Sequence, residues 1–136
     1  MIDEVIADEI ELPSIEFLNE PDHLEWIDDE TGLHCEIKRN DKLGNLCGYV
    51  KVQLKQDANI DEIKQSLDVH GGITYDNSEP DGHVFGFDCA HLGDLIPVIE
   101  MKKIMLGIDS YGTYRNIEYV KNECKELAKQ LKEVES

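Results

Sequence analysis

The period of the apolar residues changes along this chain of 136 residues, and the change limits the folds open to it. In the middle of the chain the period is two. Residues 33–38 put Leu33, Cys35 and Ile37 on one side, and residues 46–54 do the same with Leu46, Gly48, Val50, Val52 and Leu54. Such alternation is the mark of a strand with one buried face. The polar cluster from Asn40 to Asn45 separates the two runs, so together they predict an antiparallel hairpin. Gly48 inside the second run marks a bulge or a close backbone approach. Near the C-terminus the period becomes three to four. Ile117, Val120, Cys124, Leu127, Leu131 and Val134 share one stripe of an amphipathic helix of about five turns. A sheet with one apolar face and a helix with one apolar stripe each need a cover, and each can cover the other.

The remaining elements are read from the same signals. Asp57 or Asn59 caps a short helix over 60–66. Residues 67–75 read as a strand interrupted by Gly71-Gly72, residues 76–82 as a loop, and residues 83–89 as a further strand. In the last of these Phe85, Phe87 and Cys89 oppose Val84, Gly86 and Asp88. Residues 98–106 read as a helix. The expected fold is α+β: an antiparallel sheet of four or more strands packed against a long C-terminal amphipathic helix.

Charge divides the chain. The net charge is −17, yet residues 1–37 hold 13 acids and no Lys or Arg. The remainder is only mildly acidic and carries all 13 basic residues. The organisation expected is an acidic arm over 1–30 and a single domain over 31–136. The arm is either a solvated tail or face, or an interaction arm or mimic of a nucleic-acid backbone. It also carries Ile10, Leu12, Ile15, Phe17, Leu18, Leu24, Trp26 and Ile27, so part of it is expected to pack on the domain or on a second subunit. So acidic a surface repels long DNA or RNA. No apolar run reaches the ~18 residues of a membrane span, and the N-terminus lacks the basic and apolar regions of a signal peptide.

Four cysteines stand at 35, 47, 89 and 124 with no C-x-x-C pair. That spacing gives no zinc knuckle, and without a secretion signal a disulfide framework is not expected. Reduced, mostly buried thiols and a cytoplasmic protein follow.

The densest group of chemically capable residues lies in His70-Gly71-Gly72-Ile73-Thr74-Tyr75 and in Asp88-Cys89-Ala90-His91-Leu92-Gly93-Asp94. Three readings stay open. Asp88, His91 and Asp94 with His70 form a donor set that suits Zn, Mn or Fe. Alternatively the group is a nucleotide or phosphate pocket. There Gly71 and Gly72 let backbone N–H groups approach an anion, and His70 and Thr74 donate hydrogen bonds. Tyr75, Tyr111 or Tyr114 would stack on a base, and Arg115 would fork a phosphate. In the third reading His and Asp only satisfy backbone groups at strand ends. His23, His34 and His83 have no evident partners in the sequence. No G-x-S-x-G, P-loop, H-E-x-x-H or G-x-G-x-x-G motif occurs, so no catalytic residue, resident metal or cofactor is expected.

The segments Leu46-Cys47-Gly48-Tyr49-Val50, Val69-His70-Gly71-Gly72-Ile73-Thr74-Tyr75, Gly86-Phe87-Asp88-Cys89-Ala90-His91-x-Gly-Asp94 and Tyr114-Arg115-Asn116-x-Glu118-Tyr119-Val120-x-x-Glu123-Cys124 resemble a family of small phage and prophage proteins. The resemblance covers roughly residues 31–131. Relative to that pattern the stretch 53–67 is short, and the acidic arm is an addition. The resemblance implies a counter-defence protein, by analogy alone. The function expected is a sponge, likened to those that sequester a nucleotide-derived immune signal such as a cyclic oligonucleotide or cyclic ADP-ribose isomer. It would act as a homo-oligomer and hold its ligand through His70, Gly71, Gly72, Thr74, Tyr75, Asp88, His91, Asp94, Tyr114 and Arg115. The alternatives are a metal-assisted phosphoesterase or hydrolase using His70, Asp88, His91 and Asp94, and an acidic DNA mimic that inhibits a host defence protein through the arm.

Overall fold

A computed structural model describes residues 16–109 and 112–136. Tyr111 and residues 1–15 of the expected arm lie outside them. Five strands follow a short 3-10 turn at Glu16–Asn19: β1 (His23–Ile27), β2 (His34–Arg39), β3 (Leu46–Val52), β4 (Tyr75–Glu79) and β5 (Gly82–Asp88). The helices are α1 (Ile60–Ser66), α2 (Pro97–Leu106) and α3 (Ile117–Val134). All the strand pairs are antiparallel, in the order β1-β2-β3-β5-β4. The fold is α+β, with the long C-terminal helix laid on the sheet.

The core lies between α3 and one sheet face. Cys35, Ile37, Leu46, Val50, Val52, Phe85 and Phe87 come from the strands, and Val120, Cys124, Leu127, Ala128 and Leu131 from the helix. These are the positions that the two periods place inward. Gly48 is a close approach and not a bulge. Its pairing runs unbroken to Ile37 and Phe87. An added Cβ would stand 2.5 Å from the Phe87 ring and 2.8 Å from Cys124 Sγ, so the helix rests over bare β3 backbone. Asn59 caps α1, its side chain accepting from the Glu62 N–H at 3.1 Å.

Three expectations need correction. Residues 67–74 do not form a strand, because Gly71 and Gly72 take φ of +69° and +80° and turn the chain back on itself. Residues 76–79, read as part of a loop over 76–82, belong with Tyr75 to strand β4, joined to β5 by the two-residue turn Pro80-Asp81. A polar edge strand pairs on one side only and gives no apolar alternation. Its inward residue Asp76 is satisfied by His83 Nε2 at 2.9 Å and Lys64 Nζ at 2.8 Å. The boundary after residue 30 falls inside the folded unit, since β1 is a strand of the sheet. Residues 17–22 are bound to the domain as well. Phe17 packs on Tyr114, whose hydroxyl donates to Glu20 Oε1 at 2.6 Å. Arg39 reaches Asp22 Oδ1 at 2.8 Å and Tyr114 Oη at 3.0 Å, and Glu20 Oε2 accepts from the Ile117 N–H at 2.8 Å.

All four cysteines are free thiols. Cys35, Cys89 and Cys124 are buried, and Cys47 is partly so. Among the described residues no helix is long and apolar enough to cross a membrane.

Candidate functional site

Three segments distant in sequence meet beyond the end of β5: the glycine turn 68–74, the loop 88–96 and the start of α3. His70 joins them. Its backbone N–H donates to Glu123 Oε1 at 2.8 Å. Its ring Nε2 lies 2.8 Å from Asp94 Oδ2, and Nδ1 lies 2.8 Å from the Tyr119 hydroxyl. Asp94 Oδ1 accepts from Arg115 Nε at 2.9 Å, and Oδ2 also accepts from the His91 N–H at 3.1 Å. The Arg115 guanidinium lies over the Tyr119 ring, 4.8 Å from its centroid.

The proton positions follow from this network. Asp94 is 1% exposed through its side chain. Burial raises its pKa, but hydrogen bonds from His70, Arg115 and His91 outweigh that, and the net shift is downward. Asp94 is therefore the anion, and His70 Nε2 carries the proton that faces it. Burial raises the Tyr119 pKa, so its phenol keeps its proton in the bond it shares with His70 Nδ1. Burial likewise pushes the Cys89 thiol up, which removes it as a thiolate nucleophile.

His91 is the member left without a full set of partners. Its Nε2 lies 3.0 Å from Asp88 Oδ1, yet the two are out of line and this buried nitrogen makes no hydrogen bond. Its ring packs directly against Gly71, where a Cβ would stand 2.2 Å from it. On one side His91 opens on a cleft of ≈ 240 Å³ shared with Leu92, Asp94, Ile99, Glu100 and Lys103. A second cleft of ≈ 310 Å³ runs past His70 between Asp68, Glu123 and Gln130.

The expected site residues divide. His70, Gly71, Asp88, His91, Asp94 and Arg115 come together, with Gly72 in the same turn. Thr74 is exposed and leads into β4, where its N–H donates to Gly86 O at 2.9 Å. Tyr75 projects from the opposite sheet face, edge-on to Tyr49 at 5.5 Å. Tyr114 is buried beside Phe17 and Leu95 and holds Glu20 and Arg39. Tyr119 and Glu123 were not expected. Their signal is the spacing of four from Tyr119 to Glu123, which puts both on one face of α3, just beyond Arg115 and the Asn116 cap. Among the described residues, His70, Asp88, His91 and Asp94 do not bring three ligand atoms within reach of one ion. The three histidines without sequence partners all find carboxylates: His23 with Glu36, His34 with Glu25 and His83 with Asp76. Comparison with family models, with curated proteins and with solved structures finds no match to this chain.

Proposed function

We propose that the protein is a binding protein, a sponge that takes up a small anionic ligand of nucleotide type at the His70–His91–Asp94–Arg115 cluster. One observation carries the reading. The buried His91 Nε2 has no aligned hydrogen-bond partner, and His91 is one of the residues that line a cleft. A buried imidazole nitrogen without a well-aligned hydrogen bond costs free energy, and a ligand atom that shifted the ring into line would recover it. Lys103 lines the same cleft and supplies positive charge, while Leu92 and Ile99 supply apolar surface for a flat ring. The rest of the cluster suits holding more than reacting. Both His70 nitrogens are engaged, Asp94 is fully occupied, and the nearby thiol is protonated. Ground-state affinity needs only such a fixed frame, whereas catalysis needs a group that can exchange a proton with substrate.

The analogy with small phage proteins agrees with this reading and extends it to counter-defence. Calorimetry with cyclic dinucleotides, cyclic ADP-ribose isomers and mononucleotides tests it. The expected result is a saturable isotherm with one class, abolished in His91→Ala, with the ligand recovered intact after denaturation. Absence of heat across the panel rejects the reading. A chemically altered ligand would favour the hydrolase alternative, for which the Tyr119–His70–Asp94 chain has the form of a proton relay.

A further inference from the structure

The sheet face turned away from α3 carries a second group of chemically capable residues, built from a short motif that occurs twice. His23-Leu24-Glu25 lies on β1 and His34-Cys35-Glu36 on β2, each reading H-x-E. In a strand, residues two apart share a face, so all four polar side chains project to the same side. The register sets Glu25 directly opposite Glu36. The two motifs are thus related by the local two-fold axis of an antiparallel pair. Each imidazole crosses to the carboxylate of the other strand: His23 Nε2 to Glu36 Oε2 at 2.6 Å, and His34 Nε2 to Glu25 Oε1 at 2.8 Å. His23 Nε2 also lies 3.6 Å from Glu25 Oε2.

Two facing carboxylates repel, and cross-strand pairs of like charge destabilise a sheet unless a cation lies between them. Nearby Lys38 approaches Glu36 no closer than 3.8 Å. We propose that His23, Glu25 and Glu36 bind a divalent transition-metal ion, with Zn²⁺ the best match to the donor set. Ligand atoms of one His Nε2 and two carboxylate oxygens all lie within 4.8 Å of one another. In a tetrahedral zinc site with bonds of about 2.0 Å, ligand atoms stand roughly 3.3 Å apart. The 2.6 Å and 3.6 Å separations bracket that value, so small rotations of exposed side chains close the site. His34 holds Glu25 through its other oxygen and acts as a positioning residue for that ligand. Three protein ligands leave one coordination position open to water or to a bound molecule. Glu25, His34 and Glu36 also line one end of a cleft of ≈ 390 Å³ that runs across the sheet to Tyr49, Tyr75 and Lys51. The metal site stands on this geometry alone and does not depend on the ligand assigned to the His91 cluster.

Calorimetry of the full chain with ZnCl₂, CoCl₂ and MgCl₂ at neutral pH tests it. The expected result is one Zn²⁺ or Co²⁺ per chain and no binding of Mg²⁺, which prefers oxygen ligands and keeps its water. The Co²⁺ complex should show visible bands of a nitrogen–oxygen site without thiolate charge transfer. The double variant His23→Ala/Glu36→Gln should lose the isotherm while keeping its thermal melt, and His34→Ala should weaken it by about 10–100-fold. Cys47→Ser should leave it unchanged, although Cys47 sits on the same face. Absence of Zn²⁺ binding in the parent chain overturns the proposal. So does binding that survives in the folded double variant or disappears with Cys47.

Discussion

Gly71 and His91 are in contact across two loops, and only a hydrogen fits between them. A Cβ at Gly71 would stand 2.2 Å from the His91 ring, and its φ of +69° is in any case the left-handed region. Gly71→Ala should therefore cost about 1–3 kcal/mol through backbone strain and also displace His91. Urea unfolding should show a lowered midpoint with an unchanged slope. A midpoint equal to that of the parent would mean that the two loops are not held as described.

Asp94 ties its own loop to the glycine turn and to α3. Asp94→Asn leaves the Arg115 guanidinium facing a neutral amide and should cost on the order of 3 kcal/mol. The pH dependence has a definite sign. The folded-state pKa of Asp94 lies below the unfolded value of 3.8, so its stabilisation is complete above that value. It is lost as pH falls through the folded-state pKa. Stability measured against pH in the acid range should fall less steeply in Asp94→Asn than in the parent chain.

Gly48 lets α3 lie on β3. Gly48→Ala would push a methyl group into the Phe87 ring and Cys124 Sγ, and overpacking of this kind costs about 1–3 kcal/mol. At the same interface Leu127→Ala should cost about 2–5 kcal/mol, since Leu127 is fully buried. Thermal melts of the two variants should both shift down, with Leu127→Ala the larger.

The thiols should differ sharply in reactivity. Burial pushes Cys35 up to about 12 and raises Cys89 and Cys124 as well. Cys47 is also raised but is partly exposed. Alkylation of the folded protein followed by intact mass should give slow, single modification at Cys47. All four sites should react in denaturant.

Much of the fold was legible because period is a local property. The β2–β3 hairpin, β5, the Asn59 cap and the stripe of α3 each follow from residues within one element. The failures were also physical. β4 was hidden because an edge strand with one neighbour can be polar throughout, and Asp76 turns inward only because His83 and Lys64 are there to meet it. The 67–75 run carried Leu67, Val69 and Ile73, yet the left-handed glycines at its centre exclude a continuous strand. In the candidate site, six residues of the expected set converge. Tyr75 leaves it because the pleat turns it to the other sheet face, and Tyr114 because it is buried against Phe17 and Glu20.

The sequence by itself determined most of the element types, the inward faces and the chemical inventory of the site: the Gly71-Gly72 pair with His70, Asp88, His91, Asp94 and Arg115. Those depend on spacing within a few residues. Only the tertiary structure decided the partners. His70 meets Tyr119 across 49 positions, and Glu25 faces Glu36 because one register, among several that alternation allows, brings the buried faces of β1 and β2 together. Hydrogen bonds and ion sites act over about 3 Å, so they exist only once the packing of the core has fixed where each loop ends.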